Sequence, residues 1–296
     1  MSQTTNQNSF SDEIIVVIGA GTMGHGIAGQ AARCGAQVRL YDASSEALGR
    51  GKIHIEAIYK KAIAKSKMTA EDVEMALSRI SYIDPEQNTL AQACKGASVV
   101  IEAAPERLEL KRKIFAEVES VVDPNCLLAS NTSSLSIDKI ADVLNHPTRF
   151  IGMHFFNPVA IMPLLEIVRG QASSEQTVAR TRFIGEALLK TPIVVKDAPG
   201  FATSRLGIAL GNEAMRIYEE GVASAEDIDR AMVLGYRHPI GPLALTDLVG
   251  LDVRLAISEY LHEQLDTDTF KPPQILKDKV AKGELGKKTG RGFYEY

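Results

Sequence analysis

The chain has 296 residues, 45% hydrophobic and 24% charged, ordinary proportions for a globular protein long enough for two domains. A formal net charge of -4 offers no global positive field for nucleic acid, and no apolar run reaches the ~18 residues of a membrane span. Cys34, Cys94 and Cys126 show no C-x-x-C or metal-ligand spacing, so they read as buried small hydrophobes in a reducing compartment, with no metal site expected.

Residues 1–12 are rich in Ser, Gln, Thr and Asn with no apolar core, which reads as a disordered tail and not a targeting peptide. A cytoplasmic protein is expected. The run EIIVVIGAGTMG, residues 13–24, reads as a fully buried strand ending in glycines. A helix over 22–34 follows, stopped by Gly35. QVRLYD, 37–42, is a second strand, and 44–65 is a long basic amphipathic helix. Thr69 opens a short helix with Asp72 at the capping-box spacing. Apolar strands are expected at 97–104, 126–131 and 149–155, with a helix over about 106–121. Alternation of strand and helix makes this half an α/β Rossmann-like, doubly wound, mainly parallel sheet.

The pattern changes after PIVVK, at the Pro199-Gly200 turn. Helical periodicity covers 203–219, 225–234 (capped by Ser224), 243–249, 252–265 and 274–281, with no clear strand until the last few residues. The expected organisation is a tail over 1–12, a nucleotide-binding domain over 13–197 and an all-helical C-terminal domain over 198–296.

Gly19, Gly21 and Gly24 form G-x-G-x-x-G between strand and helix, with Thr22 and Met23 inside it. The first glycine permits a tight turn and the second lets backbone approach a pyrophosphate. The third lets helix and strand pack closely, with the helix N-terminus facing the negative charge. Asp42 lies eighteen residues past Gly24 at the end of the second strand. Its carboxylate suits a ribose diol and repels a 2′-phosphate, so NAD is favoured over NADP.

His154 in IGMHFFNPV and Glu166 in PLLEIVRG, twelve residues apart, are ionisable groups in apolar sequence. A buried carboxylate needs a partner, and an imidazole is the natural one. A His held by a carboxylate is a general base.

These features, with the blocks EAAPERLELK, ASNTSSLSI, GMHFFNPV, LLEIVRG, DAPGF, HPIGPLALTDLVGLD and GKKTGRGFYEY, resemble the L-3-hydroxyacyl-CoA dehydrogenases, including the bacterial 3-hydroxybutyryl-CoA type. The resemblance covers residues 14–296. It implies a Rossmann-like domain, a helical C-terminal domain used for homodimerisation, and an acyl-CoA bound in the cleft between them. By motif, His154 resembles the catalytic base, Glu166 its carboxylate partner, and Ser133 the residue that hydrogen-bonds the substrate's 3-oxygen and borders the cofactor. Asn157, Glu106 and Lys111 resemble contacts at the nicotinamide end, and Lys65 a contact for the CoA phosphates. Some residues have a second reading: Ser133 also suits a cap for a helix starting near Leu135, Asn157 a turn before Pro158, and Lys52, Lys60, Lys61 and Lys65 a solvated helix face.

Two positions depart from the family pattern. GFATSR puts Ser204 where the family usually has an Asn that helps hold the substrate oxygen; a shorter hydroxyl there either works through a water or goes with a differently seated substrate. Ala160 stands where many members have Pro. The reaction the resemblance implies is reversible oxidation of an (S)-3-hydroxyacyl-CoA, with 3-hydroxybutyryl-CoA the leading substrate. Competing readings are a relative acting on 3-hydroxyadipyl-CoA, carnitine or L-gulonate, and a non-catalytic NAD-binding protein.

Overall fold

The computed structural model describes residues 10–296. Strand β1 (Ile14–Ile18), all Ile and Val, buries four of its five residues. Burial on both faces is what a parallel sheet covered by helices requires. Helix α1 (Thr22–Arg33) follows, with Cys34 as its C-cap and Gly35 at φ +111. Then come β2 (Gln37–Tyr41) and α2 (Ser45–Ala64), the latter capped by Ser44, whose side chain accepts from the Ala47 N–H. Helix α3 (Ala70–Ser78) opens with the full Thr69–Asp72 capping box.

The alternation continues through β3 (Ile80–Ile83), α4 (Leu90–Cys94), β4 (Val99–Glu102), α5 (Leu108–Glu119), β5 (Leu127–Ser130), α6 (Ile137–Ala141), β6 (Phe150–Phe155), β7 (Leu164–Arg169), α7 (Glu175–Ala187) and β8 (Thr191–Lys196). The eight strands are ordered β3-β2-β1-β4-β5-β6-β7-β8. All neighbours are parallel except β6 and β7, which run antiparallel. The strand order reverses between β1 and β4, and at such a switch point the carboxyl ends of the strands leave a crevice for a ligand.

Two expectations need correction. Residues 1–9 of the expected tail lie outside the described residues, but Phe10–Asp12 form a single 3-10 turn and Phe10 packs on the sheet's core. An aromatic ring with a core to cover is not left as tail. The helix expected from about Glu106 begins at Leu108, because the Glu106 carboxylate is engaged by the turn after β5.

The chain divides into two compact units after Asp197, and residues from Ala198 onward form the second. That unit comprises α8 (Thr203–Glu219), α9 (Ala225–Arg230), α10 (Pro242–Val249), α11 (Leu251–Leu265) and α12 (Gln274–Ala281). A π-type turn, Ala231–Gly235, takes the end of the helix expected over 225–234. The C-terminal residues make only isolated bridges, Gly286 with Arg291 and Arg291 with Glu295. The unit's core gathers Met215, Leu243, Leu251 and Leu276, all 0% exposed.

Candidate active site

The glycine turn leaves β1 directly into α1. Gly19 sits at φ +100, where L side chains are strained, and a Cβ there would come within 2.6 Å of the Ala103 carbonyl oxygen. A Cβ on Gly24 would collide with the Gly19 carbonyl, whereas one on Gly21 would meet nothing within 4 Å. Gly21 is the N-cap of α1 and no side chain caps that end. Thr22 is exposed, Met23 half-buried. The first N–H groups of α1 are therefore open to an anion, with the helix dipole behind them.

Asp42 stands just past β2. Its Oδ2 accepts from the Ala20 N–H at 2.8 Å and its Oδ1 from Ser44 N–H at 2.9 Å. One carboxylate thus pins the glycine turn to the second strand's exit and retains lone pairs for a ligand hydroxyl. A turn closed to side chains, an uncapped helix end and an acid at the second strand fit a dinucleotide.

His154 and Glu166 lie directly opposite each other in the β6–β7 register. His154 Nδ1 is 2.8 Å from Glu166 Oε2. Glu166 is 0% exposed and His154 7%, so the carboxylate is fixed by the sheet and the imidazole reaches out from it. The Phe156 ring tilts against the imidazole, centroids 4.5 Å apart. Asn131 Oδ1 accepts from the Phe155 N–H at 2.9 Å and so ties the end of β6 to the exit of β5.

A buried ionic network joins the end of β4, α5 and the turn after β5. Lys111, 0% exposed, donates to Glu102 Oε1 at 2.6 Å and Ala104 O at 3.2 Å, and pairs with Glu106 Oε2 at 3.3 Å. Glu102 also accepts from Ala104 N–H at 2.7 Å and Ser130 Oγ at 2.6 Å. Glu106 Oε1 collects Thr132 Oγ1 at 2.6 Å, Ser133 N–H at 2.9 Å and Ser134 N–H at 3.1 Å. Burial pushes the Glu102 carboxyl above its ordinary range despite Lys111. Burial acts the same way on Glu106, but Lys111 and the donors of 132–134 outweigh it, and its pKa is lowered.

Ser133 is exposed on that turn, with Oγ 3.4 Å from Glu106. It caps no helix: α6 is capped by Ser136. Lys111 Nζ is turned into this network, with two hydrogen bonds and one ion pair there. Asn157 is exposed and precedes a cis Pro158. It lines a groove between α1, α2 and residues 157–161, whose floor includes Ile55, Ile58, Tyr59 and Met68 and whose other lining residues include Arg33, Lys61, Lys65 and Lys67. Lys65 is the exposed C-cap of α2. Ser204 is half-buried in the first turn of α8, in the second unit.

Reading the sequence missed Glu102, Ser130 and Asn131. Glu102 carries the signal that identified Glu166, a lone carboxylate in an apolar strand, VVIEAA. Among the described residues no cluster of His, Cys, Asp and Glu is arranged to hold a metal, and no helix is long and apolar enough to cross a membrane.

Comparison with known proteins agrees with this geometry. The family model for the NAD-binding domain of 3-hydroxyacyl-CoA dehydrogenase matches residues 14–198, and that for the C-terminal domain matches 200–296. A probable 3-hydroxybutyryl-CoA dehydrogenase of Bacillus subtilis is 44% identical over 95% of this chain and 96% of its own. The crystal structure of the (S)-3-hydroxybutyryl-CoA dehydrogenase of Ralstonia eutropha superposes with a TM-score of 0.90 at 42% identity, covering 96% of this chain and 99% of that one. A 3-hydroxyadipyl-CoA dehydrogenase of Escherichia coli is 40% identical over 96% of this chain and 59% of its own. The chain belongs to the 3-hydroxyacyl-CoA dehydrogenase family and is an NAD-dependent oxidoreductase.

Proposed function

We propose that the protein oxidises (S)-3-hydroxybutyryl-CoA reversibly to acetoacetyl-CoA, with His154 as general base and acid. The carrying observation is the 2.8 Å His154–Glu166 pair at the carboxyl end of β6, the same end of the sheet at which the glycine turn leaves β1. NAD+, when bound, supplies the hydride acceptor. Gly19, Gly21, Gly24, Thr22 and Met23 shape its phosphate turn, Asp42 takes its ribose, and Glu106 and Asn157 border its reactive end.

With Nδ1–H directed at Glu166, the imidazole presents Nε2 to the substrate and removes the 3-hydroxyl proton. The carboxylate holds the tautomer and stabilises the imidazolium that forms. In reduction the imidazolium returns the proton and polarises the ketone. Ser133 steadies the substrate oxygen, its turn held by Glu106. Lys65 and the other cations lining the α1–α2 groove suit the phosphates of CoA, while Ile55, Ile58 and Met68 suit its less polar arm.

A homodimer through the second unit is supported by large apolar side chains left exposed there: Leu206 at 72%, Leu234 at 72% and Leu248 at 57%. Light scattering of wild type and of a Leu206→Glu/Leu248→Glu variant checks this; a monomeric wild type would exclude it. A reducing, cytoplasmic setting is part of this reading, and Cys94 and Cys126, buried thiols whose pKa burial pushes up, suit it as small hydrophobes.

The reading is tested by NADH consumption with acetoacetyl-CoA, with longer 3-oxoacyl-CoAs and with dicarboxylic ones. The highest kcat/KM is expected on acetoacetyl-CoA. A preference for the dicarboxylic substrate would move the assignment to the 3-hydroxyadipyl-CoA type.

A further inference from the structure

We propose that the buried Glu102–Lys111–Glu106 triad is a fixed electrostatic bias of the site: two carboxylates around one ammonium leave a single negative charge that favours the oxidised, cationic cofactor over the reduced, neutral one. The proposal rests on the NAD reading above and concerns what this chain's own charges do to the two redox forms.

The triad is placed to act on whatever occupies the crevice. Glu102 pairs with Ile18, the last residue of β1, in the sheet register. Ala103 N–H donates to the Ile18 carbonyl at 2.7 Å, and the Gly19 turn has no room for a Cβ because Ala103 lies against it. The Ala103 backbone therefore walls the glycine turn at the switch point of the sheet, where dinucleotides bind in open α/β sheets, and Glu102 is the residue just before that wall.

Its charge state follows from its contacts. Lys111 donates to Glu102 and to Ala104 O and forms an ion pair with Glu106, so the ammonium lies between the two carboxylates. Its charge is used inside the triad. Three donors, Lys111 Nζ, Ala104 N–H and Ser130 Oγ, converge on Glu102, an arrangement suited to the carboxylate. Glu106 is held ionised by Lys111 and the 132–134 donors.

A negative wall repels the pyrophosphate of both redox forms equally. That cost cancels in the ratio of their affinities, which reports only the positive charge present on one form and absent from the other. A purely structural role would weaken both forms together and leave the ratio unchanged.

The test is binding, not turnover. The Kd of NADH is read from its fluorescence on binding and the Kd of NAD+ from competition against it. Removing one negative charge with Glu102→Gln raises Kd(NAD+)/Kd(NADH) about tenfold, the effect of a unit charge roughly 12 Å away at an effective dielectric constant of about 20. Glu106→Gln, on a partly exposed side chain that does not threaten folding, moves the ratio in the same direction. Glu102→Gln with Lys111→Met restores one net negative charge, and the ratio returns to within about twofold of wild type. A wild type that binds neither NAD+ nor NADH would defeat the NAD reading itself. A wild type that binds both, with a ratio unmoved in Glu106→Gln and Glu102→Gln, or not restored in the double variant, would overturn the bias alone.

Discussion

Glu166 Oε2 lies 2.8 Å from His154 Nδ1 across the antiparallel β6–β7 pair. The carboxylate is wholly buried and the imidazole stands between it and the surface. The cross-strand register sets His154 and Glu166 opposite each other on one face of the sheet, so the backbone of β6 and β7 brings the two side chains together. Glu166→Gln keeps size and a hydrogen bond but loses the charge that holds the imidazolium. It is expected to lower kcat by about 100-fold or more with little change in KM, the scale of a disabled general base. Steady-state kinetics in both directions check this, and a kcat within a few-fold of wild type would remove Glu166 from the mechanism.

Asp42 has two tasks in one carboxylate. It accepts from Ala20 and Ser44 N–H groups and is assigned the ribose diol. Asp42→Ala is therefore expected to weaken both cofactors, and NAD more than NADP. The NAD:NADP ratio of kcat/KM should fall about tenfold, the scale of one hydrogen bond to a charged group. An unchanged ratio with both values lowered would leave Asp42 only its role in the turn.

The lowered pKa of Glu106 has a sign that can be measured. A carboxyl depressed in the folded state stabilises the fold above its unfolded pKa of about 4.3 and loses that contribution as pH falls through the folded value. Urea unfolding of wild type and Glu106→Gln should therefore differ by a constant amount near neutrality. The gap should close on acidification below about pH 4. A gap that widens on acidification would contradict the contacts assigned to Glu106.

Much of this was legible before any coordinates. The β-branched run of β1, the glycine spacing and the Thr69–Asp72 box declared their local structure, because each pattern has one backbone solution. His154 and Glu166 declared each other because apolar sequence leaves a buried carboxylate few partners. What stayed hidden depended on chain segments meeting at a distance. Edge strand β3 is four residues containing Ser81 and Tyr82, too short and polar to alternate visibly. The Thr89–Gln92 capping box of α4 went unread because the helix is a bare five residues. Lys111 resembled a ligand contact in sequence, and only the fold reveals that Glu102 and Glu106 surround it. Ser204 reads in sequence as a departure from the family motif, and a half-buried hydroxyl in the first turn of α8 carries no signal of its own for the substrate it serves.

The most direct test of the account is His154→Ala, assayed by NADH oxidation with acetoacetyl-CoA and, on the same preparation, by NADH fluorescence titration. Turnover should fall by about 100-fold to 10,000-fold, the contribution of a positioned acid-base group, while the Kd of NADH stays within about twofold of wild type because removing an acid-base group takes away no uniform binding. Turnover within a few-fold of wild type, with NADH binding intact, would contradict the assignment of His154 as the proton-transfer residue.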